Sequence, residues 1–446
     1  MLRLTFKGGI HPYEGKELSK DKPVRDVLPG KELVYPLSQH IGAPAVPCVQ
    51  KGDHVLVGQK IADAGGFVSA GICSSVSGEV KTIEPRLTAS GGMVNSIVIE
   101  NDEQYEEIAW EQAKDLEELS GSDILAMIKE AGIVGMGGAG FPAHVKYAPK
   151  DSSQIEYVIV NCAECEPYLT SDYRRMMEVP QELVAGLRAV MKIFGNVKGI
   201  LAVEDNKKDA AAKLREVAKD DADIEVMVLK TKYPQGAERQ LVFATTGRQI
   251  NSSMLPADVG CVVSNCDTIH AVYQAVYKRR PVLTKIMTIT GDAVKDPQNL
   301  RVRTGMSFRE VLEAAGGLEA EPQKMIAGGP MMGVPLFSLD VPVIKTSSAI
   351  LCLTKDEVAE LEPTACINCG RCVSVCPGRI IPSRLADYAE RYDKEAFEKA
   401  DGMECCECGC CSYICPAKRP LTQYIKSMRK MVLADRKKAA QGGKTK

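Results

Sequence analysis

The chain is poor in the residues from which most acid–base and zinc chemistry is built. Histidine occurs only five times in 446 residues, and no two are spaced as a zinc-protease or zinc-finger pair. One Trp and eight Phe offer little stacking surface for nucleic acid. Lys plus Arg (56) nearly balance Asp plus Glu (58), for a net charge of -2. No field of one sign therefore draws the chain to nucleic acid or to an anionic membrane. No apolar run approaches the roughly 18 residues of a membrane-spanning helix. The N-terminal stretch MLRLTFKGGIHPYEGKE lacks the continuous apolar core of a secretory signal. These absences predict a cytoplasmic chain with no nucleic-acid partner, still able to dock on a membrane protein. The length predicts several domains.

Cysteine is what the chain has in excess, with 17 residues. In a long chain of this composition that points to metal or redox chemistry rather than to disulfides. Eleven lie between Cys352 and Cys415. ACINCGRCVSVCP spaces Cys366, Cys369 and Cys372 by two residues, then Cys376 by three, before Pro377. CCECGCCSYICP repeats that spacing with Cys405, Cys408, Cys411 and Cys415, before Pro416. This is the two-cluster bacterial ferredoxin run, in which the fourth cysteine of each motif ligates the other cluster. The expected sets are Cys366, Cys369, Cys372 and Cys415 for one [4Fe–4S] cluster, and Cys405, Cys408, Cys411 and Cys376 for the other. Zinc is the alternative, but it normally takes two separated CxxC pairs. Cys406 and Cys410 fall off the ligand spacing and read as bystanders.

Along the chain, residues 30–100 hold short alternating runs separated by Gly turns, as in VQKGDHVLVGQKIADAG and SSVSGEVKTIEP, which predict a small β module. From 105 to 130 the chain turns acidic and helical (EEIAWEQAKDLEELSGSDILAMIKEAG), with Ser122 or Asp123 as an expected helix N-cap. Buried-strand patterns (IEYVIVN, KGILAVED, IEVMVLK) then alternate with amphipathic helices (PQELVAGLRAVMKIFG, KKDAAAKLREVAKD), predicting a parallel α/β sheet. KIMTITGDAV, MSFREVLEAAGG and KMIAGGPMMGV predict a small β domain with one helix. Beyond about 355 the pattern is helical. The divisions fall at 1–104, 105–285, 286–350 and 351–430, with a basic tail over 431–446. That tail reads as a solvated helix end or, more sharply, as a contact for anionic lipid or a membrane partner.

GIVGMGGAGFPAHVK carries Gly135, Gly137, Gly138 and Gly140, whose backbone can approach a phosphate closely, with Lys146 as an added charge. The loop follows a helix, so it is not the dinucleotide fingerprint, and a tight turn is the plain alternative. Three further segments stand beside it. NCAECEP puts Asn161, Glu164 and Glu166 at the C-terminal edge of a strand, where open α/β sheets bind ligands. YPQGAERQ places Tyr233, Gly236 and Glu238 on a loop, and VVSNCDTIH places Ser264, Asn265 and Thr268 on another. Glu164 and Glu166 can alternatively cap a helix beginning near Leu169. Cys162 and Cys165 form a CxxC, read as small pocket-lining residues or as part of a hidden metal or disulfide site.

GMGGAGFPAHVK, NCAECEP, YPQGAE and SNCDT, in this order, resemble the FMN- and NADH-binding subunit of complex I. With FKGGIHP, PLSQHIGAPAVPCVQKGDHVLVGQKI, MIAGGPMMG and the twin ferredoxin run, the sequence is more similar still to the RnfC family. The resemblance covers nearly the whole chain. It implies a multidomain α/β protein of four parts: a β barrel-sandwich hybrid, a Rossmann-like flavin domain, a β-grasp (SLBB) domain and a helical two-[4Fe–4S] domain. The barrel has no lysine attachment turn, so it is expected to be structural or a docking surface. The resemblance also implies that Gly135, Gly137, Gly138, Gly140 and Lys146 hold the FMN phosphate. Asn161, Glu164, Ser264, Asn265 and Thr268 would bind its ribityl chain or ring, and Tyr233 and Gly236 would belong to the same pocket. Phe141 would stack on the NADH adenine, with Glu166 and Glu238 on the nicotinamide side. The chain departs from the complex I subunit at Ala163, Cys165 and Ala237, and it lacks a PPFP segment around RQINSSMLP.

The implied activity is electron exchange between NAD(H), FMN and two clusters, in an ion-translocating ferredoxin:NAD+ oxidoreductase. The implied partners are integral membrane and ferredoxin-like Rnf subunits, with the chain peripheral on the cytoplasmic face of the membrane. A soluble cobalamin reductase shares the flavin loop and clusters but starts near the Gly-rich loop, without an FKGGIHP module. A non-catalytic ferredoxin-like adaptor is the third reading, distinguished by absence of flavin.

Overall fold

A computed structural model describes residues 4–442 of the chain. Its N-terminal β module begins at Glu32–Pro36, which pairs antiparallel with Met93–Asn101. That strand pairs in turn with Gly78–Leu87, and the sheet ends at His54–Val55. A second sheet of Val46–Pro47, Lys60–Asp63 and Ile72–Cys73 faces it. Leu33, Tyr35, Val55, Ile61, Val80, Ile97 and Ile99 are fully buried between them. This is the barrel-sandwich architecture expected from the alternating runs.

The α/β domain has four parallel strands in the order Ile224–Leu229, Lys198–Glu204, Tyr157–Cys162, Cys261–Asn265. Numbered along the chain, that order is 3-2-1-4, the start of the Rossmann arrangement. The strands alternate their apolar residues between two covered faces. Val158, Val160, Leu201 and Val203 pack under Pro180–Phe194 and Cys266–Lys278. Ile159, Ile200 and Ala202 pack under Glu238–Thr246. Strand order reverses between Tyr157–Cys162 and Cys261–Asn265, which opens a crevice at their carboxyl ends. The acidic stretch is far less helical than expected: within 105–120 only the turn Leu116–Glu118 is helical, and the helix before the Gly-rich loop is Gly121–Glu130. Ser120 is its N-cap, in a reciprocal capping box with Asp123, and Ser122 lies within the first turn.

Thr284–Thr290 lies at the heart of the third sheet, antiparallel to Gln298–Arg303 and parallel to Ala349–Leu353. Helix Phe308–Ala314 packs on it through Phe308, Val311 and Leu312. The edge strand of this sheet comes from the other end of the chain. Arg25–Asp26 pairs in parallel with Leu300 and Arg301. Residues 6–27 thus run outside the barrel as a strap. Gly9 N–H donates to the Val375 carbonyl at 2.8 Å, and Ile10 exchanges two backbone hydrogen bonds with Tyr233.

After Leu353 the described residues form only helices and turns. The two cysteine runs fold alike. Backbone φ is positive at Asn368 and Glu407, at Gly370 and Gly409, and at Arg379 and Lys418, which are equivalent positions of the two motifs. Each run opens a five-residue helix, Arg371–Val375 and Cys410–Ile414, and these pack together. Helix Leu421–Gly442 continues from the cluster motifs through most of the basic stretch. Residues 443–446 of that stretch lie outside the described residues.

Candidate functional site

The crevice at the strand reversal opens into a cavity of about 560 Å³, within the range of small-molecule sites. Its walls come from all four domains, the N-terminal module giving only Ala89. The α/β domain contributes Gly137 and Gly138 of the Gly-rich loop, Asn161, Glu164, Cys165 and Glu166, Tyr233 and Gly236, and Asn265. The third sheet contributes Lys285, on strand Thr284–Thr290, and the β-grasp segment Gly328–Gly329. Cys406 and Cys408 of the second cysteine run form part of the wall.

The Gly-rich loop is a closed turn. Gly135 N–H donates to the Phe141 carbonyl at 2.8 Å, and Ala143 N–H to the Ile133 carbonyl at 2.9 Å. A Cβ at Gly137 would fall 2.7 Å from the Asn265 side chain, whereas Gly138 faces open space. The loop therefore lies against Asn265 and leaves its tip clear, the form of a phosphate cradle. Thr268 Oγ1 accepts from Met136 N–H at 2.9 Å, so its hydroxyl fixes the loop from behind. Ser264 Oγ is engaged by the Tyr147 hydroxyl at 2.7 Å. Asn265 caps helix Cys266–Lys278 and donates to Asp172 at 2.7 Å. Asn161 Nδ2 donates to the Gly236 carbonyl at 2.8 Å, tying two of the predicted loops together.

Gly135, Gly140, Phe141, Lys146, Ser264, Thr268 and Glu238 lie outside the cavity lining. Lys146 Nζ is held by the Val263 carbonyl at 2.9 Å and by Glu238 at 3.3 Å, a half-exposed pair. Both acids of NCAECEP have local partners. Glu164 accepts from Asp172 N–H at 2.7 Å and from Tyr173 N–H at 3.3 Å, so it caps helix Ser171–Glu178 while lining the cavity. Burial pushes its carboxyl up to about 7, with Lys16 opposing. Glu166 Oε1 accepts from Met331 N–H at 2.7 Å and Met332 N–H at 3.0 Å, which clamps the GGPMMG loop over the cavity. Tyr233 is buried, and its hydroxyl has no hydrogen-bond partner among the described residues. An orphaned buried donor at a cavity wall is what a bound ring or a cluster sulfur satisfies.

Sequence reasoning missed the charged floor. Asp267 is flanked by Arg175 at 2.6 Å and by Lys285, all three buried. Burial alone would raise the Asp267 carboxyl, but Lys285 and Arg175 hold it well below the carboxylate range. Asp172 also lines the cavity, and burial beside Asp267 raises it. Asp267 sits inside the SNCDT motif, so a signal was present. Nothing local marks Arg175 or Lys285.

The cysteines converge as two fours. Cys366, Cys369, Cys372 and Cys415 line one cavity. Cys376, Cys405, Cys408 and Cys411 line the other, with Cys406 and Cys410 on the same wall. Each run thus lends its Cys-Pro cysteine to the other three. The donor set is thiolate throughout, which suits iron–sulfur clusters.

Residues 4–104 match the RnfC barrel sandwich hybrid domain, 128–274 the Nuo51 FMN-binding domain, 286–335 the SLBB domain and 359–381 the 4Fe-4S binding domain. The C component of the Na(+)-translocating ferredoxin:NAD(+) oxidoreductase complex of Acetobacterium woodii is 45% identical over 435 residues, covering 97% of this chain and 98% of that one. The chain belongs to the RnfC family. Another member is the C component of the proton-translocating ferredoxin:NAD(+) oxidoreductase complex of Clostridium ljungdahlii, 44% identical over 95% of this chain and 93% of its own. The corresponding component of the Vibrio cholerae ion-translocating oxidoreductase complex is 35% identical over 90% of this RnfC-family chain and 52% of its own length. An NAD+-reducing [NiFe]-hydrogenase in the H2-reduced state shares the fold, with a TM-score of 0.50 at 20% identity over 65% of this chain and 59% of that one.

Proposed function

We propose that this chain is the NAD(H)-facing electron-transfer subunit of an ion-translocating ferredoxin:NAD+ oxidoreductase, built from the four parts divided as above. One observation carries the reading. The cavity at the sheet's strand reversal has Cys408, a predicted cluster ligand, in its wall. A ring bound there lies against the sulfur of a one-electron carrier.

Gly137 and Gly138 hold the FMN phosphate, on a turn kept in shape by Gly135, Gly140 and Thr268. Asn161, Gly236 and Asn265 line the ribityl chain and ring, braced by Ser264 through Tyr147. Tyr233 gives its free hydroxyl to the ring edge or to the neighbouring sulfur. Glu166 sits on the nicotinamide side. Phe141, Lys146 and Glu238 flank the nucleotide's approach. FMN, when bound, supplies the conversion between the hydride pair of NADH and single electrons. The protein orients the two rings and excludes water between them.

The cluster held by Cys376, Cys405, Cys408 and Cys411 is proximal to the flavin. The other is distal, and its ligands Cys366 and Cys369 are exposed beside the exposed Ile367. That face meets the redox partner. No helix among the described residues is long and apolar enough to cross a membrane. Ion movement therefore belongs to integral membrane subunits, on whose cytoplasmic side this chain docks.

The test uses anaerobically purified protein, assayed for iron, sulfide and FMN and then mixed with NADH. About eight irons per chain with FMN, all bleached by NADH, is the expected result. Clusters that stay oxidised and no bound flavin would reduce the chain to an adaptor.

A further inference from the structure

Below the flavin cavity, two buried lysines reach one loop through its carbonyls. Lys16, in the N-terminal strap, is 8% exposed. Its Nζ donates to the carbonyls of Leu169 at 2.6 Å, Glu164 at 2.9 Å and Glu166 at 3.0 Å. Lys207 is 2% exposed, and its Nζ donates to the Ala163 carbonyl at 2.7 Å, Asn206 at 2.9 Å and Glu204 at 3.4 Å. An ammonium has three donors, and both lysines use all three. Burying two such charges is costly unless they are fully paired. Neither lysine belongs to any cluster-ligand set or to the cavity lining.

The loop they hold is Ala163–Leu169, which leaves the central strand at the reversal point. In a trans peptide the C=O and the following N–H point in opposite directions. The Ala163 carbonyl turns down to Lys207, so the Glu164 N–H turns away from it. The Glu164 carbonyl turns down to Lys16, so the Cys165 N–H does the same. Neither N–H has an acceptor among the described residues. Glu164 and Cys165 both line the cavity. Glu164 has φ +46°, and successive N–H groups around a left-handed residue form an anion-binding concavity.

We infer that Lys16 and Lys207 are positioning residues that aim the Glu164 and Cys165 N–H groups at the edge of the flavin ring where reduction accumulates negative charge. This rests on FMN occupying the cavity. Two preorganised backbone donors, with the Lys16 ammonium behind them and the Lys207 charge largely offset by buried Glu204, stabilise the reduced ring over the oxidised one. The lysines would thus set the potential at which the flavin exchanges electrons with the proximal cluster. The strap would become part of the redox site, although it never touches the ring.

The experiment is a potentiometric titration of bound FMN in the full chain with its clusters, comparing wild type with Lys16→Met. The flavin midpoint potential is expected to fall, and FMN affinity to weaken by roughly tenfold, the loss of one charge-assisted hydrogen-bond set. The absorbance of the distal cluster, remote from the loop, should stay as in wild type. A K16M protein that binds FMN at an unchanged potential overturns the inference. If K16M does not accumulate, Lys16→Arg decides by the same readout. It keeps the charge but cannot converge three donors on three carbonyls, so a lowered potential is again expected and an unchanged one is fatal. A wild-type chain that binds no FMN fails the underlying reading instead, a different outcome from a potential that does not move.

Discussion

The cluster domain and the flavin domain both assemble redox sites, but by opposite routes. In the cluster domain the same backbone is written twice. Equivalent residues take left-handed conformations in both runs, and each run exports one cysteine to the other. Every ligand lies in a short motif, and spacing alone fixes what it can hold. The flavin cavity is written once, and its walls come from residues far apart in the chain. Asn161 reaches Gly236, Glu166 reaches Met331 and Met332, and Asp267 reaches Lys285. A site built from a local repeat is robust to what surrounds it. A site built from long-range contacts depends on every domain that supplies a wall.

Three experiments press on that contrast. The largest effect is expected where the two sites meet. Cys408→Ser should remove the proximal cluster, halve the iron and stop NADH from bleaching the distal cluster, while the flavin still bleaches. Cys369→Ser should also halve the iron but leave NADH-driven bleaching of the proximal cluster intact. Anaerobic stopped-flow absorbance separates the two, and equal behaviour would undo the proximal–distal order.

Next comes Asp267→Asn, which leaves Arg175 and Lys285 buried without their shared counter-charge. Breaking a buried pair of this kind costs about 3–5 kcal/mol, measurable as a lower denaturant midpoint. The cluster domain should keep its thiol accessibility at denaturant concentrations where the flavin domain has lost its fold. Coincident loss of both would mean the two regions are one cooperative unit.

The smallest effect is a pH slope. Burial raises the Glu164 carboxyl to about 7 from an ordinary 4.5. The folded chain therefore binds this proton more tightly than the unfolded one. Its contribution to stability is full below about pH 4.5 and is lost as pH rises towards about 7. Glu164→Gln should flatten stability against pH across that window. An unaltered slope in the variant would show that Glu164 does not titrate there.

The same contrast explains what the sequence disclosed. The four-part architecture, the parallel sheet and both cysteine sets are periodic or motif-borne, and these were readable. The two cluster-domain cysteines in the cavity wall, Cys406 and Cys408, were half readable. Cys408 falls on the ligand spacing, whereas Cys406 sits off it and gains its place only because the cluster domain folds back on the cavity. Thr268 and Ser264 are expected at the ligand but turn their hydroxyls to Met136 and Tyr147. A motif tells which residues gather, not which way each one faces. Lys16 was out of reach altogether. It lies in an N-terminal stretch with no periodicity, and its partners are some 150 residues away in sequence.

The strap has a consequence for the order in which the molecule comes into being. Residues 6–27 leave the ribosome before each of the partners on which they seat. Tyr233, the Leu300–Arg301 edge and Val375 must all exist before the strap can seat. Closing such long loops is slow and is rewarded only at the end. A segment made before its partners is therefore among the last to settle, and it settles on the backbone beside Cys376. The strap's seat and the backbone that carries the predicted ligand Cys376 share one hydrogen bond, Gly9 to Val375. Until those partners have folded, residues 6–27 have nothing to pair with along most of their length.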